Sequence, residues 1–317
     1  MLGAAVVNGD AVSLRVGHTY ELQNDSATVR RHAFIAVEPA RAESSIRELI
    51  DDYALAFRDL LALTTRSYTS LDRVSFLLSD DSTREQLMPA TYLARLLRPM
   101  NTPSTDPGTA IFDLASLDIS FDKLLPAWLT LRRLHHNTIN MVVVPSYAPH
   151  TFTDTLLMTA WLAVEGYHES GMKQSGEAAD QAARDHHARV DAIVAAAPAE
   201  FREWANQQLR ERNAIGQRLK LEQLIERAGL TGAALLALNP NYVRNAVAGR
   251  RRVAHPTTYI DNTGAQFLFL ANTLRWLITH CLLVDLGVRE SEVARKISND
   301  RHFLFDIESV ARHHSKP

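Results

Sequence analysis

The stretch from Asn239 to Pro256, NPNYVRNAVAGRRRVAHP, reads as one helix whose charge gathers at its far end. Asn239 can act as N-cap and Pro240 brings the φ of a first helical residue, so the helix is predicted to start there. Pro256 disfavours a helical conformation for His255, so the helix is predicted to end near Ala254. From Arg227 to Ile260 there is no Asp or Glu, while Arg227, Arg244, Arg250, Arg251 and Arg252 give the window a formal charge of +5.

Apolar residues keep a helical period on both sides. Upstream lie Leu124–Leu134 with Trp128 and Leu131, the apolar Phe152–His168, the Ala-rich Glu177–Ala196 and the long charged stretch Ala199–Ala228. Downstream come Phe267–Leu286, with Gly287 as its C-cap, and a short helix Glu290–Ile297. Helices joined by modest loops predict a mainly α protein with a C-terminal antiparallel helical bundle. Residues 11–37 alternate in places, with turns at Asn8-Gly9-Asp10 and Asn24-Asp25-Ser26, and predict short strands. A helix is predicted to start at Ser44 or Ser45, and a further strand at Val74–Leu78. A small α+β unit therefore precedes the bundle. The Pro-rich run from Arg98 to Gly108 marks a break in the pattern. The expected division is residues 1–98 as the α+β domain, 99–110 as linker, 111–300 as the helical domain and 301–317 as a tail.

The 317 residues, 46% of them hydrophobic, are enough for real cores, and 34 Lys+Arg against 36 Asp+Glu leave a net charge of −2. Attraction to a polyanion must then be local rather than molecule-wide. Cys281 is the single cysteine, in an apolar run, which excludes a disulfide scaffold and predicts a buried thiol. No signal peptide and no membrane span are expected, and the expected compartment is the cytoplasm.

The doublets His135-His136, His186-His187 and His313-His314 lack partners at metal-ligand spacing and read as surface histidines. Glu165-x-x-His168 has the i, i+3 spacing of a carboxylate–histidine metal site, but the second copy that such a site needs is missing. A buried Glu165 would need a partner, and an arginine is the natural one. There is no nucleophile elbow and no glycine-rich phosphate loop. An Arg followed by His after four to six residues occurs three times: Arg250 with His255, Arg275 with His280, and Arg295 with His302. Only the first lies in the cationic window and at a helix end.

The order of these pieces resembles the HEPN superfamily, in particular the HEPN domain of ApeA-like proteins of bacterial anti-phage defence. The likeness runs over residues 111–300: the Trp-bearing Leu124-Leu-Pro-Ala-Trp128, the helix Leu156-Leu-Met-Thr-Ala-Trp-Leu-Ala-Val-Glu-Gly-Tyr-His168, the Arg-x4-His segment, and the ending Cys281-Leu-Leu-Val-Asp-Leu-Gly-Val288. The sequence departs from the family where Arg251 replaces the Asn, Asp or His that usually follows the motif arginine. Residues 1–98 are also shorter than the family's N-terminal domain and match a remnant of it.

The resemblance implies a metal-independent endoribonuclease that leaves 2′,3′-cyclic phosphate and 5′-hydroxyl ends, with Arg250 and His255 catalytic and no cofactor or metal. Arg250 would stabilise charge on the scissile phosphate, and His255 would move a proton at the 2′-hydroxyl or the leaving 5′-oxygen. Arg244, Arg251 and Arg252 would hold flanking phosphates of an RNA, with Glu165 in support. A homodimer is implied, as is an unidentified phage-derived trigger, with no membrane partner. Two rival readings use the same residues: a non-catalytic helical module that binds RNA or protein, and a metal-dependent hydrolase built on Glu165 and His168.

Overall fold

Asn8 and Gly9 both take positive φ, 54° and 96°, and close a two-residue hairpin between β1 (Gly3–Val7) and β2 (Asp10–Gln23). The computed structural model describes residues 3–23, 26–40, 45–66, 75–78, 86–89, 112, 117, 119–147, 151–172, 177–210, 216–254 and 263–314. Among them the chain divides into two compact units, Met1–Arg133 with Val143–His150 and Val284–Arg289, and Leu134–Val142 with Thr151–Leu283 and Glu290–Pro317. The predicted linker 99–110 lies outside the described residues.

In the first unit β2 also pairs antiparallel with β3 (Ser26–Glu38), in continuous register from Ala11↔Glu38 to Gln23↔Ser26. These strands are longer than the short ones that local alternation suggested. Two antiparallel partners satisfy each other's backbone along their whole length, whatever the side-chain pattern. A second hairpin joins β4 (Ser75–Leu78) and β5 (Gln86–Pro89). Ser45 begins α1 (Ile46–Leu49) with a capping box: its Oγ accepts from the Glu48 N–H and Glu48 Oε2 accepts from the Ser45 N–H. A π-turn, Ile50–Ala54, carries the chain into α2 (Leu55–Thr65). On that turn Tyr53 donates to Asp10 Oδ2 at 2.7 Å. Asp59 of α2 is fully buried, and Arg58 and Arg132 hold it at 2.7 and 3.1 Å. Arg132 belongs to α3 (Phe121–Leu134), whose Trp128 donates its indole N–H to the Ala56 carbonyl. Two guanidiniums around one buried carboxylate supply the compensation that an interior charge needs.

The second unit is helical. After α4 (His136–Tyr147) come α5 (Thr153–Tyr167), continued by a π-turn at His168–Met172, and α6 (Glu177–Ala196). Then follow α7 (Arg202–Arg210), α8 (Gln217–Arg227), α9 (Gly229–Leu238), α10 (Tyr242–Ala254), α11 (Thr263–Asp285), α12 (Glu290–Ser298) and α13 (Arg301–His314). The core helix is α11, where Leu270, Leu274, Leu277, Ile278, Cys281 and Leu282 are buried. By length and composition alone α11 is able to cross a membrane, but 78% of its apolar window is buried inside the protein. It also carries buried Arg275, which donates to the Val142 carbonyl at 3.0 Å. This chain is mainly α, with a small N-terminal α+β part.

Three further expectations differ from the structure. The stretch read as one segment, Ala199–Ala228, is a 3-10 turn (Ala199–Phe201) running into α7, then a separate α8 that starts from an extended Gly216. The helix predicted from Pro240 starts at Tyr242. The Asn239 side-chain amide donates to the carbonyls of Leu235 and Ile307 at 3.3 and 3.0 Å, while its own carbonyl accepts from the Tyr242 N–H at 2.9 Å. The segment set apart as a tail contains α13, which buries Phe303, Ile307 and Val310 and whose Asp306 accepts from the Trp276 indole at 3.0 Å.

Candidate functional site

Helix α10 buries one narrow stripe of Tyr242, Ala246 and Gly249. Tyr242 Oη meets Thr273 Oγ1 of α11 at 2.8 Å. A Cβ at Gly249 would come within 3.0 Å of Leu270 and 3.5 Å of Leu157, so glycine lets α10 lie close on α5 and α11. The arginines then fall on the rest of the helix. Arg244, Arg251 and Arg252 are exposed, and among the described residues none of the three has an ion pair or hydrogen bond.

Arg250 is placed differently. Its Nη2 donates to Glu165 Oε1 of α5 at 3.0 Å, with side chains 20% and 24% exposed. With its amide turned so that both groups are satisfied, Gln217 of α8 also accepts from this guanidinium, at 2.8 Å from Nη2 and 3.2 Å from Nε. Three helices thus meet at one side chain. The window without acids in the sequence is not without acids in space, because α5 brings a carboxylate to it. The positive surplus rests on the exposed arginines beside this pair. His255 lies outside the described residues, so the structure places Arg250, Arg244, Arg251, Arg252 and Glu165 but not the candidate proton carrier.

A groove opens between α8 and α10, lined by Arg218 from α8 and by Val243, Arg244, Val247, Ala248 and Arg251 from α10. Gln217 and Arg218 had no part in the sequence reading. Arg218 forms an i, i+4 pair with Glu222 at 2.8 Å, a pattern that reads as an ordinary solvated helix face, and nothing local in the sequence marks Gln217.

The other histidine motifs are used structurally. In the second Arg-x4-His, His280 is buried and its Nδ1 lies 2.9 Å from Thr231 Oγ1. Burial, and then the nearby charge of Arg227, push His280 down to about 4. Arg295 of the third pairs with Glu292. Contrary to the surface reading of the doublets, His135 is buried, stacked on Tyr167 with ring centroids 5.0 Å apart. Ser170 Oγ sits 2.7 Å from His135 Nδ1, but its proton goes to the Gly166 carbonyl at 2.7 Å. The imidazole therefore donates to the hydroxyl, the reverse of an activated nucleophile. His136 and His187 are exposed, and His313 stacks on Phe269.

Glu165 and His168 do not converge: the first faces Arg250, and the second pairs with Gln223 Oε1 through Nε2 at 2.8 Å. Among the described residues no group of three His, Cys, Asp or Glu side chains is placed to hold a metal ion.

The structure thus defines a helical domain that holds one arginine on a carboxylate and leaves several others free on the same helix. Residues 159–292 match the model of the Apea-like HEPN family, to which this segment is similar. The match runs from within α5 into α12 and includes Glu165, Gln217, Arg218 and all of α10. No curated protein and no solved structure gave a significant match.

Proposed function

We propose that this HEPN domain is a metal-independent endoribonuclease acting in the cytoplasm in phage defence. The observation that carries the reading is Arg250, oriented by Glu165 and Gln217 beside exposed, unpaired Arg244, Arg251 and Arg252. An orienting carboxylate fixes where the guanidinium points, and a positioned cation stabilises charge on a phosphate in its transition state. In the reaction the ribose 2′-oxygen attacks phosphorus, the bond to the 5′-oxygen breaks, the 2′-hydroxyl proton is taken by a base and the leaving oxygen gains one. Histidine, whose reference pKa lies near 6.5, suits either role, and His255 is the histidine that follows Arg250 in the sequence. A single α10 end supplies one Arg and one His, so a two-fold dimer joining two such ends completes the pair of proton carriers. A phage-derived trigger would act on this assembly.

One observation favours a second reading, an RNA- or protein-binding module without catalysis. Arg250 is already engaged by two side chains, and Arg251 stands where the family usually has Asn, Asp or His. The two are separated by incubating the purified protein with end-labelled RNA in EDTA. Cleavage to cyclic-phosphate ends that disappears in both Arg250→Ala and His255→Ala supports the nuclease. Binding without cleavage in the wild type supports the module, and cleavage abolished by EDTA overturns both in favour of a metal-dependent hydrolase.

A further inference from the structure

The groove between α8 and α10 is a second positively charged feature, beside Arg250 rather than at it. One wall carries Arg218, the other Arg244 and Arg251, and Val243, Val247 and Ala248 supply apolar lining between them. On α10 Arg244, Val247, Ala248 and Arg251 fall at i, i+3, i+4 and i+7, so they form one stripe, with Val243 at its edge. Arg244 and Arg251 have no carboxylate partner among the described residues. Arg218 is paired with Glu222, but its side chain is 79% exposed and the pair is a weak surface one. The groove therefore has a surplus of free guanidinium around an apolar lining. It shares both neighbouring positions with the Arg250 site: Arg218 follows Gln217 on the first turn of α8, and Arg251 follows Arg250 on α10.

We propose that this groove is a phosphodiester subsite for single-stranded RNA adjoining the Arg250 centre, and that Arg218 is a substrate-binding residue. The inference rests on the endoribonuclease reading only for the choice of RNA as the polyanion. Charge complementarity selects the occupant. Three guanidiniums suit successive phosphates, while valine and alanine offer a sugar or base only apolar contact. Among the lining residues there is no aromatic side chain and no acceptor for a base edge, so recognition at this subsite follows backbone charge and tolerates sequence. Gln217 and Arg218 belong to one helical turn, so a strand seated in the groove lies next to the side chain that orients Arg250.

The test is fluorescence anisotropy of a 5′-labelled twelve-residue oligouridylate with the full-length protein in EDTA, over a range of salt. The His255→Ala background suppresses turnover. In that background Arg218→Gln is compared with Arg184→Gln, which removes the same charge from the exposed face of α6. Arg218→Gln should weaken binding about three- to tenfold, and reduce the salt slope by about 0.7, as expected for loss of one single-strand phosphate contact. Arg184→Gln should leave both unchanged. Inorganic phosphate or ATP at millimolar concentration should compete poorly, since a chain of phosphates is the ligand. Equal binding of Arg218→Gln and its parent, equal loss with Arg184→Gln, displacement by ATP alone, or no binding of the oligouridylate overturns the subsite. Binding lost with Arg218→Gln in a protein that never cleaves RNA keeps the subsite and removes the nuclease. Cleavage that depends on Arg250 and His255 and is indifferent to Arg218 does the reverse.

Discussion

Glu165 determines what Arg250 can do. Both side chains are mostly buried, so removing the carboxylate leaves a guanidinium held only by Gln217. Glu165→Ala should lower unfolding free energy by about 1–3 kcal/mol, the cost of losing a charged hydrogen-bond partner, measured by urea denaturation. A double-mutant cycle with Arg250→Gln should show coupling of about 0.5–3 kcal/mol, and simple additivity would dissolve the pair as an energetic unit. His280 supplies a pH signature. Its folded pKa lies below the unfolded value near 6.5, so the native state holds it neutral while the unfolded chain takes up a proton as pH falls. Its contribution is complete above about pH 6.5 and is lost progressively toward pH 4, about 3 kcal/mol in all. The stability of His280→Asn should decline less steeply than that of the wild type across this window; parallel curves would sink the assignment. Residue types told part of this in advance. A glutamate in an apolar helix announces a need for an arginine, but no spacing rule says that Arg250, 85 positions away, is the one that meets it.

At the scale of elements, the turn from α8 into α9 is the tightest constraint near the site. A Cβ at Gly232 would strike the Ile225 carbonyl of α8, which is backbone and cannot swing aside. Gly232→Ala should therefore cost about 1–3 kcal/mol despite alanine's better helix propensity, read as a lowered midpoint in thermal unfolding. Helix α10 was legible because its buried stripe, its arginines and its terminating proline all lie within 18 residues. Its start was misplaced by two residues because the Asn239 side-chain amide is held by carbonyls on α9 and on α13, the latter 68 residues away. The break inside 199–228 was hidden for a similar reason. Composition there remains helical throughout, and the extended Gly216 is a local event that the apolar period does not register.

For the whole molecule, net charge is a poor guide to partners. The formal −2 coexists with exposed Arg244, Arg251 and Arg252, so the RNA binding proposed above should depend steeply on salt even though the protein is nearly neutral. If the working site combines two α10 ends, specific cleavage activity should rise with protein concentration over the range in which sedimentation shows dimer replacing monomer. Constant specific activity through that transition would place a complete site on one protomer.

Periodicity and residue chemistry by themselves determined the mainly α class, the buried thiol of Cys281 and the cationic helix. These are short-range properties, set by a few neighbouring side chains and the 3.6-residue turn. Only the tertiary structure decided that Arg250 is clasped by Glu165 and Gln217, that Arg218 faces Arg244 and Arg251 across a groove, and that His135 and His280 are interior. Each of those facts joins residues from different helices, and such pairings are fixed by how apolar faces pack, which one segment of sequence does not encode.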